Sequence, residues 1–146
     1  SSLKSAIDLG IAMQLTNIAR DVCEDKDRNR LYIKSDFSAI KETINDSQIF
    51  YQTSFNSISS IPLKSRFSVI VARRVYKKIG DYILKQKNIE NYNKAGKIYV
   101  PIIGKIIQTF LSIFDFIKLL FVKQLVYDNH INHNILNKEV NLNERI

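Results

Sequence analysis

From Leu9 to Ala19 the chain carries no charged residue, and three carboxylates follow before residue 26. An apolar stripe recurs at steps of four, three and four, which is the spacing of one face of an α-helix, and it comprises Ile11, Leu15, Ile18 and Val22. A line of polar residues follows the same period and comprises Gln14, Asn17, Asp21 and Asp25. A surface helix would carry Lys and Glu opposite its apolar stripe, whereas this stretch has Ala, Met and Thr there. The pattern therefore predicts a helix over 4–26 that is buried on almost every side and carries one polar line.

The carboxylates of the polar line need a compensating positive charge if they are buried. Carboxylates four residues apart on a helix repel each other, and their burial costs several kcal/mol unless a cation lies beside them. That cation could be a basic side chain from elsewhere in the chain or a divalent metal. Mg²⁺ suits hard oxygen ligands, because it takes one or two carboxylates and leaves its other positions to water and phosphate. A solvated or salt-bridged face is the ordinary alternative for such a pair, and the uncharged run before it weakens that interpretation.

The same residues, continued by Arg30-Leu31-Tyr32, resemble the second aspartate-rich motif of the squalene/phytoene synthase family. Residues 15–22 are most similar to bacterial phytoene synthases. Later segments, 61–67 with 72–80 and then 91–92 with 97–100, resemble the family in the same order. The likeness extends over about residues 5–105. It implies an all-α fold, in which this chain supplies the C-terminal helices of an isoprenoid synthase-type helical bundle.

The resemblance also implies an activity. Members of the family are Mg²⁺-dependent prenyltransferases that join two prenyl diphosphates head to head, and phytoene from two geranylgeranyl diphosphates, in carotenoid biosynthesis, is the implied product. Asp21 and Asp25 are the expected catalytic residues, and with Asn17 they are the expected ligands of Mg²⁺, or of Mn²⁺ in its place. The expected substrate-binding residues are Gln14, Arg20, Arg30, Tyr32, Tyr76 and Lys97. The side chains of the polar line are expected to point into one closed cavity.

Several alternatives stay open. A squalene- or dehydrosqualene-type synthase is the nearest competitor in activity, and a non-catalytic relative that acts as an assembly or scaffold protein is another. Arg20 could instead form a salt bridge on the far side of its helix. Tyr32 and Tyr76 could be ordinary half-buried aromatic residues. Lys97 stands where the family commonly has Arg, and an ammonium group lacks the bidentate fork of a guanidinium.

The family's first aspartate-rich motif has no counterpart here, which predicts that an N-terminal half is missing and that the chain alone is inactive. A single cysteine, Cys23, fits a reducing, cytoplasmic compartment, and its expected role is packing. The formal charge of +8 predicts an anionic partner such as a diphosphate or a lipid headgroup. Nucleic acid is not expected, because no zinc-finger spacing, short basic run or RNA-binding aromatic motif occurs.

Other helices are predicted around this motif. Ser35 or Asp36 is expected to cap a helix that ends at Ile44, with a break over 45–47 and a further helix over 47–59. Another helix is expected over 63–87, then a polar connector over 88–97. The last helix, over 101–127, contains charged residues and is too interrupted to span a membrane. Its broad apolar face is expected to pack in the core, against the missing N-terminal half, or to lie peripherally on the inner face of a membrane.

The domain prediction places the synthase-like part at 1–127 and a polar, disordered tail at 128–146. Asn29 is the residue expected to take a left-handed conformation after the central helix. His130 and His133 in the tail are expected to be solvated.

Overall fold

The computed structural model describes residues 2–122, with side chains from Ser5 onward. Within this part the secondary structure is entirely helical, which confirms the predicted all-α class. The helices are α1 (Ser2–Arg20), α2 (Val22–Asp27), α3 (Phe37–Phe55), α4 (Leu63–Leu84), α5 (Ile89–Ala95) and α6 (Ile102–Leu120), and a 3-10 segment (Asn56–Ser60) follows α3. The predicted tail over 128–146, with His130 and His133, lies outside the described residues, as does the predicted end of the last helix.

The predicted single helix over 4–26 is divided in two at Asp21. The Tyr92 hydroxyl lies 2.9 Å from the carbonyl oxygen of Ala19 and 2.7 Å from that of Arg20. Carbonyl groups at a helix end lack partners within the helix, so a buried hydroxyl at this point stabilises the end of α1. The helical path resumes at once in α2, because the backbone N–H of Asp25 donates to the carbonyl oxygen of Asp21 at 2.8 Å.

Helix α1 buries one face against α3 and α4, and this face is not the predicted apolar stripe. The buried residues are Ser5, Asp8, Ala12, Thr16 and Ala19, whereas Ile11, Leu15 and Ile18 are only partly buried. Thr16 and Tyr51 share a hydrogen bond of 3.1 Å, and the Thr53 hydroxyl donates to Asp8 Oδ2 at 2.6 Å. Small side chains let the helices approach, and hydrogen bonds satisfy the polar ones. Because Gly10 and Gln14 are exposed, the prediction of burial on almost every side is wrong for the described structure.

Helix α3 runs without interruption through the predicted break at 45–47. Ser47 is fully buried, and its hydroxyl donates to the carbonyl oxygen of Ile44 at 2.7 Å. Ile44, Ser47 and Tyr51 share the face that packs on the core, and this packing outweighs the preference of Asn45 and Asp46 for turns. The predicted cap is confirmed, since Asp36 Oδ1 accepts a hydrogen bond from the backbone N–H of Ala39 at 2.8 Å.

The later helices begin close to their predicted positions. Helix α4 starts directly after Pro62 and α6 directly after Pro101. The predicted connector over 88–97 contains α5, whose first turn is capped by Asn88. Asn29 has a φ of 54°, which confirms the predicted left-handed residue.

The main core joins the end of α1 to α2, α3, α4 and the segment around α5. It comprises Ala19, Val22, Ile40, Ile44, Ile79, Ile83, Tyr92, Ile98 and Val100. Helix α6 packs on α4 and on the 3-10 segment, where Leu119 meets Ile58 and Ile70. None of the helices within residues 2–122 combines the length and the apolar character that crossing a membrane requires.

Candidate functional site

A cluster of alternating charges occupies the junction of α1 and α2. The Arg20 guanidinium donates two hydrogen bonds to the Asp21 carboxylate, each 2.8 Å long. The Lys97 ammonium lies 3.4 Å from Asp21 Oδ1 and donates to Glu24 Oε2 at 2.7 Å. Arg28 forms an ion pair with the other oxygen of Glu24 at 2.7 Å. Lys97 follows α5, so the fold brings together residues that lie far apart in sequence.

The cluster fixes the charge of Asp21. Partial burial acts to raise the pKa of this carboxyl, but the Arg20 hydrogen bonds and the charges of Arg20 and Lys97 outweigh it and leave the pKa lowered. The hydrogen bond to Asp21 in turn raises the pKa of Arg20, against the opposing effect of burial. Arg20 also lies over the Tyr99 ring, with its central carbon 5.8 Å from the ring centroid. Asp21 is therefore an anion at neutral pH, with its orientation set by Arg20.

Asn17 lies one helical turn before Asp21 on the predicted polar line. Its side-chain oxygen is buried and has no hydrogen-bond partner in the described structure. A buried carbonyl oxygen without a partner costs about 1–3 kcal/mol. A donor or cation that binds at this position would remove the penalty.

The other predicted residues are placed differently. Asp25 is partly buried and shares a narrow cleft with Tyr32, whose side chain is 63% exposed. Arg30 is exposed, and its backbone N–H donates to the carbonyl oxygen of Asp25 at 2.8 Å. Gln14 is exposed on α1. Tyr76 is partly buried against the core, and its phenol contributes to the raised pKa of Arg20.

The structure thus brings Arg20, Asp21 and Lys97 into direct contact, and it leaves Gln14, Arg30 and Tyr32 facing solvent. Gln14 is exposed, so the four side chains of the polar line do not share one closed cavity in the described structure. Within residues 2–122, no group of three His, Cys, Asp or Glu side chains converges as a metal-binding set.

The donor chemistry nevertheless fits a divalent cation shared with an anionic ligand. Asn17 offers an unpartnered buried oxygen, Asp21 offers an ionised carboxylate, and Asp25 lies one turn further on α2. Mg²⁺ needs only one or two protein carboxylates when phosphate oxygens complete its coordination. Two protein carboxylates and one amide are therefore a sufficient protein contribution.

Comparison with known proteins shows which family the sequence around this site resembles. Residues 1–37 match the family model described as squalene/phytoene synthase. The chain is 32% identical to the 15-cis-phytoene synthase of Enterobacter agglomerans, over 55% of this chain and 34% of that protein. It is 30% identical to the chloroplastic phytoene synthase of an Oncidium hybrid, over 67% of this chain and 29% of that protein. The resemblance to the squalene/phytoene synthase family is confirmed.

The match to the squalene/phytoene synthase model contains most of the predicted site. It includes Asn17, Asp21, Asp25, Arg30 and Tyr32, whereas Tyr76 and Lys97 lie beyond it. The chain spans about a third of the length of the bacterial relatives it matches. No solved structure gives a significant match.

Sequence reasoning missed three residues that form or support this charge cluster. Glu24 binds Lys97 and Arg28, Tyr99 lies beneath Arg20, and Tyr92 supports the carbonyl groups at the end of α1. For Glu24 a signal existed, because it stands four residues before Arg28 on a predicted helix. Tyr92 and Tyr99 depend on contacts between distant segments, which periodicity does not show.

The packing role predicted for Cys23 is wrong. The side chain is exposed, and its thiol donates a hydrogen bond to Asn93 Oδ1 at 3.1 Å. Local burial nevertheless raises the pKa of this thiol, with a smaller contribution in the same direction from Asp27.

Proposed function

We propose that this chain supplies part of the active site of a Mg²⁺-dependent prenyltransferase that joins two geranylgeranyl diphosphates head to head to give phytoene. The observation that carries the proposal is the pairing of an oriented, ionised Asp21 with the unpartnered buried oxygen of Asn17 one turn before it. The relatives support the product, because the bacterial and plant proteins are named as phytoene synthases.

The chemistry begins with departure of diphosphate from an allylic carbon, which concentrates negative charge on the leaving group. Mg²⁺ bound by Asn17, Asp21 and Asp25 would neutralise that charge. Arg20 keeps the Asp21 carboxylate deprotonated and fixes its orientation through two hydrogen bonds. Both oxygens of Asp21 accept from Arg20, so the metal would bind through their remaining lone pairs.

Lys97 is the exposed cation of the site. Its ammonium group is exposed and bridges Glu24 and Asp21, so it can turn toward a diphosphate oxygen while Arg20 keeps Asp21 in place. Arg30 and Tyr32 are exposed donors that follow α2 and suit the same anion. Gln14 lies on the polar line of α1. Its side-chain amide would donate a hydrogen bond to the substrate close to the hydrocarbon part of the substrate.

A carbocation formed on ionisation must be kept from water. Ile11, Leu15 and Ile18 form a half-buried apolar stripe about a quarter turn around α1 from the polar line. This stripe suits the prenyl chain of a substrate whose diphosphate lies near Asp21. Because the chain spans about a third of its bacterial relatives, we propose that it is inactive without the remaining segments. We further propose that it works in the cytoplasm and contacts the inner face of a membrane peripherally.

A chimaera tests the activity. Residues 1–122 replace the matching segment of the Pantoea ananas 15-cis-phytoene synthase, and products from geranylgeranyl diphosphate and farnesyl diphosphate are separated by chromatography. We expect phytoene with Mg²⁺ and none with a chelator. Squalene or dehydrosqualene as the main product would instead show the competing synthase activity.

The matched variants are Asp21→Asn and Asp27→Asn in the same chimaera. Asp27 is exposed at the end of α2. Asp27→Asn therefore makes the same change of charge on α2 without altering a residue of the site. We expect Asp21→Asn to lower turnover at least a hundredfold, as the loss of an electrostatic catalytic group commonly does. Equal turnover of the two variants would refute the metal-binding role.

A further inference from the structure

Helix α6 presents a wide apolar surface that nothing in the described structure covers. Its exposed apolar side chains are Ile102, Ile103, Ile106, Ile107, Phe110, Ile113, Phe114, Ile117 and Leu120, with Phe121 directly after the helix. At 100° per residue they occupy close to half of the circumference, opposite the buried Ser112 and Leu119. We call this surface the α6 apolar face. The helix has 19 residues and is therefore about 28 Å long.

The margins of the α6 apolar face are basic and carry no carboxylate. Lys105 flanks it on one side and Lys118 on the other, and both are exposed. Asp115, the acidic residue of α6, lies on the packed side and forms a 2.8 Å ion pair with Arg74 of α4. An apolar helix face bordered by lysines is typical of helices that lie in the plane of a membrane surface.

A basic cleft opens beside this face, between α4 and α6. It has a volume of about 300 Å³ and is lined by Arg73, Arg74, Lys77, Lys78, Asp81, Gln108 and Leu111. Leu111 connects the cleft to the α6 apolar face, because its helical neighbours at i−4 and i+3 are Ile107 and Phe114. The cleft and the apolar face are therefore parts of one continuous surface.

The basic cleft has more positive charge than its own carboxylates neutralise. Asp81 pairs with Lys78 at 2.9 Å, and Asp115 pairs with Arg74. Among residues 2–122, no carboxylate lies within ion-pair distance of Lys77, and Arg73 donates to the carbonyl oxygen of Tyr51 rather than to an acid. Arg74 Nε is buried and has no hydrogen-bond partner within the described part of the chain.

The uncompensated positive charge of the basic cleft disfavours the protonated form of the partly buried Lys77. Burial lowers the pKa of Lys77, and the neighbouring Arg73 lowers it further. An anion in the basic cleft would relieve that repulsion and would supply an acceptor for Arg74 Nε.

We propose that α6 lies on an anionic phospholipid surface, with the α6 apolar face among the acyl chains and a lipid phosphate in the basic cleft. A lipid satisfies both features at once, since it offers a phosphate and a hydrocarbon chain side by side. The charge of +8 adds a long-range attraction to the same surface. This inference deepens the peripheral membrane contact proposed above and does not depend on the coupling reaction.

Vesicle binding by the full 146-residue chain tests the inference. The chain contains no tryptophan, so Phe110→Trp supplies a single reporter on the α6 apolar face, and Ile49→Trp supplies a control on the exposed side of α3. With vesicles of equal parts phosphatidylcholine and phosphatidylglycerol, we expect a blue shift and quenching by brominated acyl chains for Phe110→Trp alone. With phosphatidylcholine alone, or at high salt, binding should weaken several-fold.

Variants separate the two parts of the surface. Lys77→Gln should weaken binding to the anionic vesicles about fivefold and reduce its salt dependence, whereas Lys41→Gln on α3 should leave both unchanged. The double variant Phe110→Ser/Phe114→Ser should weaken binding at least tenfold. Both phenylalanines are exposed, so the circular dichroism of this variant should match that of the parent chain.

Four results would overturn the inference. The first is equal binding to neutral and anionic vesicles, and the second is unchanged binding by Lys77→Gln. The third is self-association that Phe110→Ser/Phe114→Ser abolishes without any vesicle binding, which would assign the α6 apolar face to a second copy of the chain. Saturation of the cleft by inorganic phosphate without vesicle binding would likewise assign it to a free anion. Because no prenyl substrate is present, failure here leaves the coupling proposal intact, and an inactive chimaera leaves this one intact.

Discussion

Asp21 shows how a single residue combines local and distant interactions. Its strongest partner, Arg20, is its neighbour in the chain, and its second, Lys97, arrives only when the segment after α5 packs against α2. The carboxylate is therefore ionised and oriented before any ligand binds, while the side-chain oxygen of Asn17, one turn away, has no hydrogen-bond partner among the described residues. The free-energy cost of forming the site therefore falls on the buried oxygen of Asn17 rather than on Asp21.

The lowered pKa of Asp21 makes stability depend on pH in a defined direction. Asp21 binds a proton less readily in the folded chain than in the unfolded chain, where its pKa is close to 3.8. Its contribution to the free energy of unfolding is therefore complete above pH 3.8 and is lost as the pH falls through the lower pKa of the folded chain. Water still reaches the Arg20–Asp21 pair, so we expect it to contribute only about 1 kcal/mol to the free energy of unfolding. In urea titrations, Asp21→Asn should lose less stability than the parent between neutral and acidic pH, and Asp27→Asn should follow the parent. An identical acid profile for Asp21→Asn and the parent would contradict this.

Tyr92 gives a second prediction at this scale. Its buried hydroxyl serves the carbonyl groups of Ala19 and Arg20, and Tyr92→Phe would leave them without this donor while keeping the ring. We expect a loss of about 1–2 kcal/mol in the free energy of unfolding, measured by urea denaturation. Tyr99 provides the control, because Tyr99→Phe removes a hydroxyl from a side chain that is 58% exposed. Equal losses would show that the Tyr92 hydroxyl does not stabilise the end of α1.

At the scale of elements, α3 and α1 show how packing selects among local preferences. Asn45 and Asp46 favour a turn, but α3 continues because the residues of its buried face all contact the core. In α1 the buried face consists of small and hydroxyl-bearing residues, and the larger aliphatic residues are left half-exposed. Apolar periodicity located both helices without showing which side of α1 would be covered.

The start of α3 depends on Asp36. Its carboxylate accepts from the N–H of Ala39, and the first turn has no other acidic residue. Asp36→Ala should therefore destabilise the chain by about 1 kcal/mol, measured by thermal or urea denaturation followed by circular dichroism. Glu42→Ala, on the exposed side of the same helix, should be neutral or slightly stabilising. A stable Asp36→Ala variant would show that core packing alone defines the start of α3.

At the scale of the whole molecule, α6 is attached along one side only. It contacts α4 and the 3-10 segment, and the Arg74–Asp115 ion pair connects it to α4. The same attachment places the basic cleft beside the α6 apolar face. The charge cluster at the junction of α1 and α2 and the surface around α6 are thus formed by different parts of the chain.

Asp115→Asn tests that attachment. Loss of the partly buried carboxylate should cost about 1 kcal/mol and speed hydrogen exchange of the amides in α6 more than those in α3. It also removes a negative charge beside the basic cleft, so binding to anionic vesicles should become tighter. Lys105→Gln, on the same helix but away from α4, should leave the exchange rates of α6 unchanged. Uniform exchange across all helices in Asp115→Asn would contradict the one-sided attachment.

The sequence by itself determined the helical class, a cap at Ser35 or Asp36 and the left-handed Asn29, and it predicted the polar line Gln14, Asn17, Asp21 and Asp25, because each depends on spacing or on residues a few positions apart. The resemblance to phytoene synthases rests on those same contiguous residues. Only the tertiary structure decided that α1 ends at Arg20, that Lys97 reaches Asp21 and Glu24, and that the apolar side of α6 is uncovered. Those features depend on which segments meet in space, and a one-dimensional pattern records only which residues could be buried.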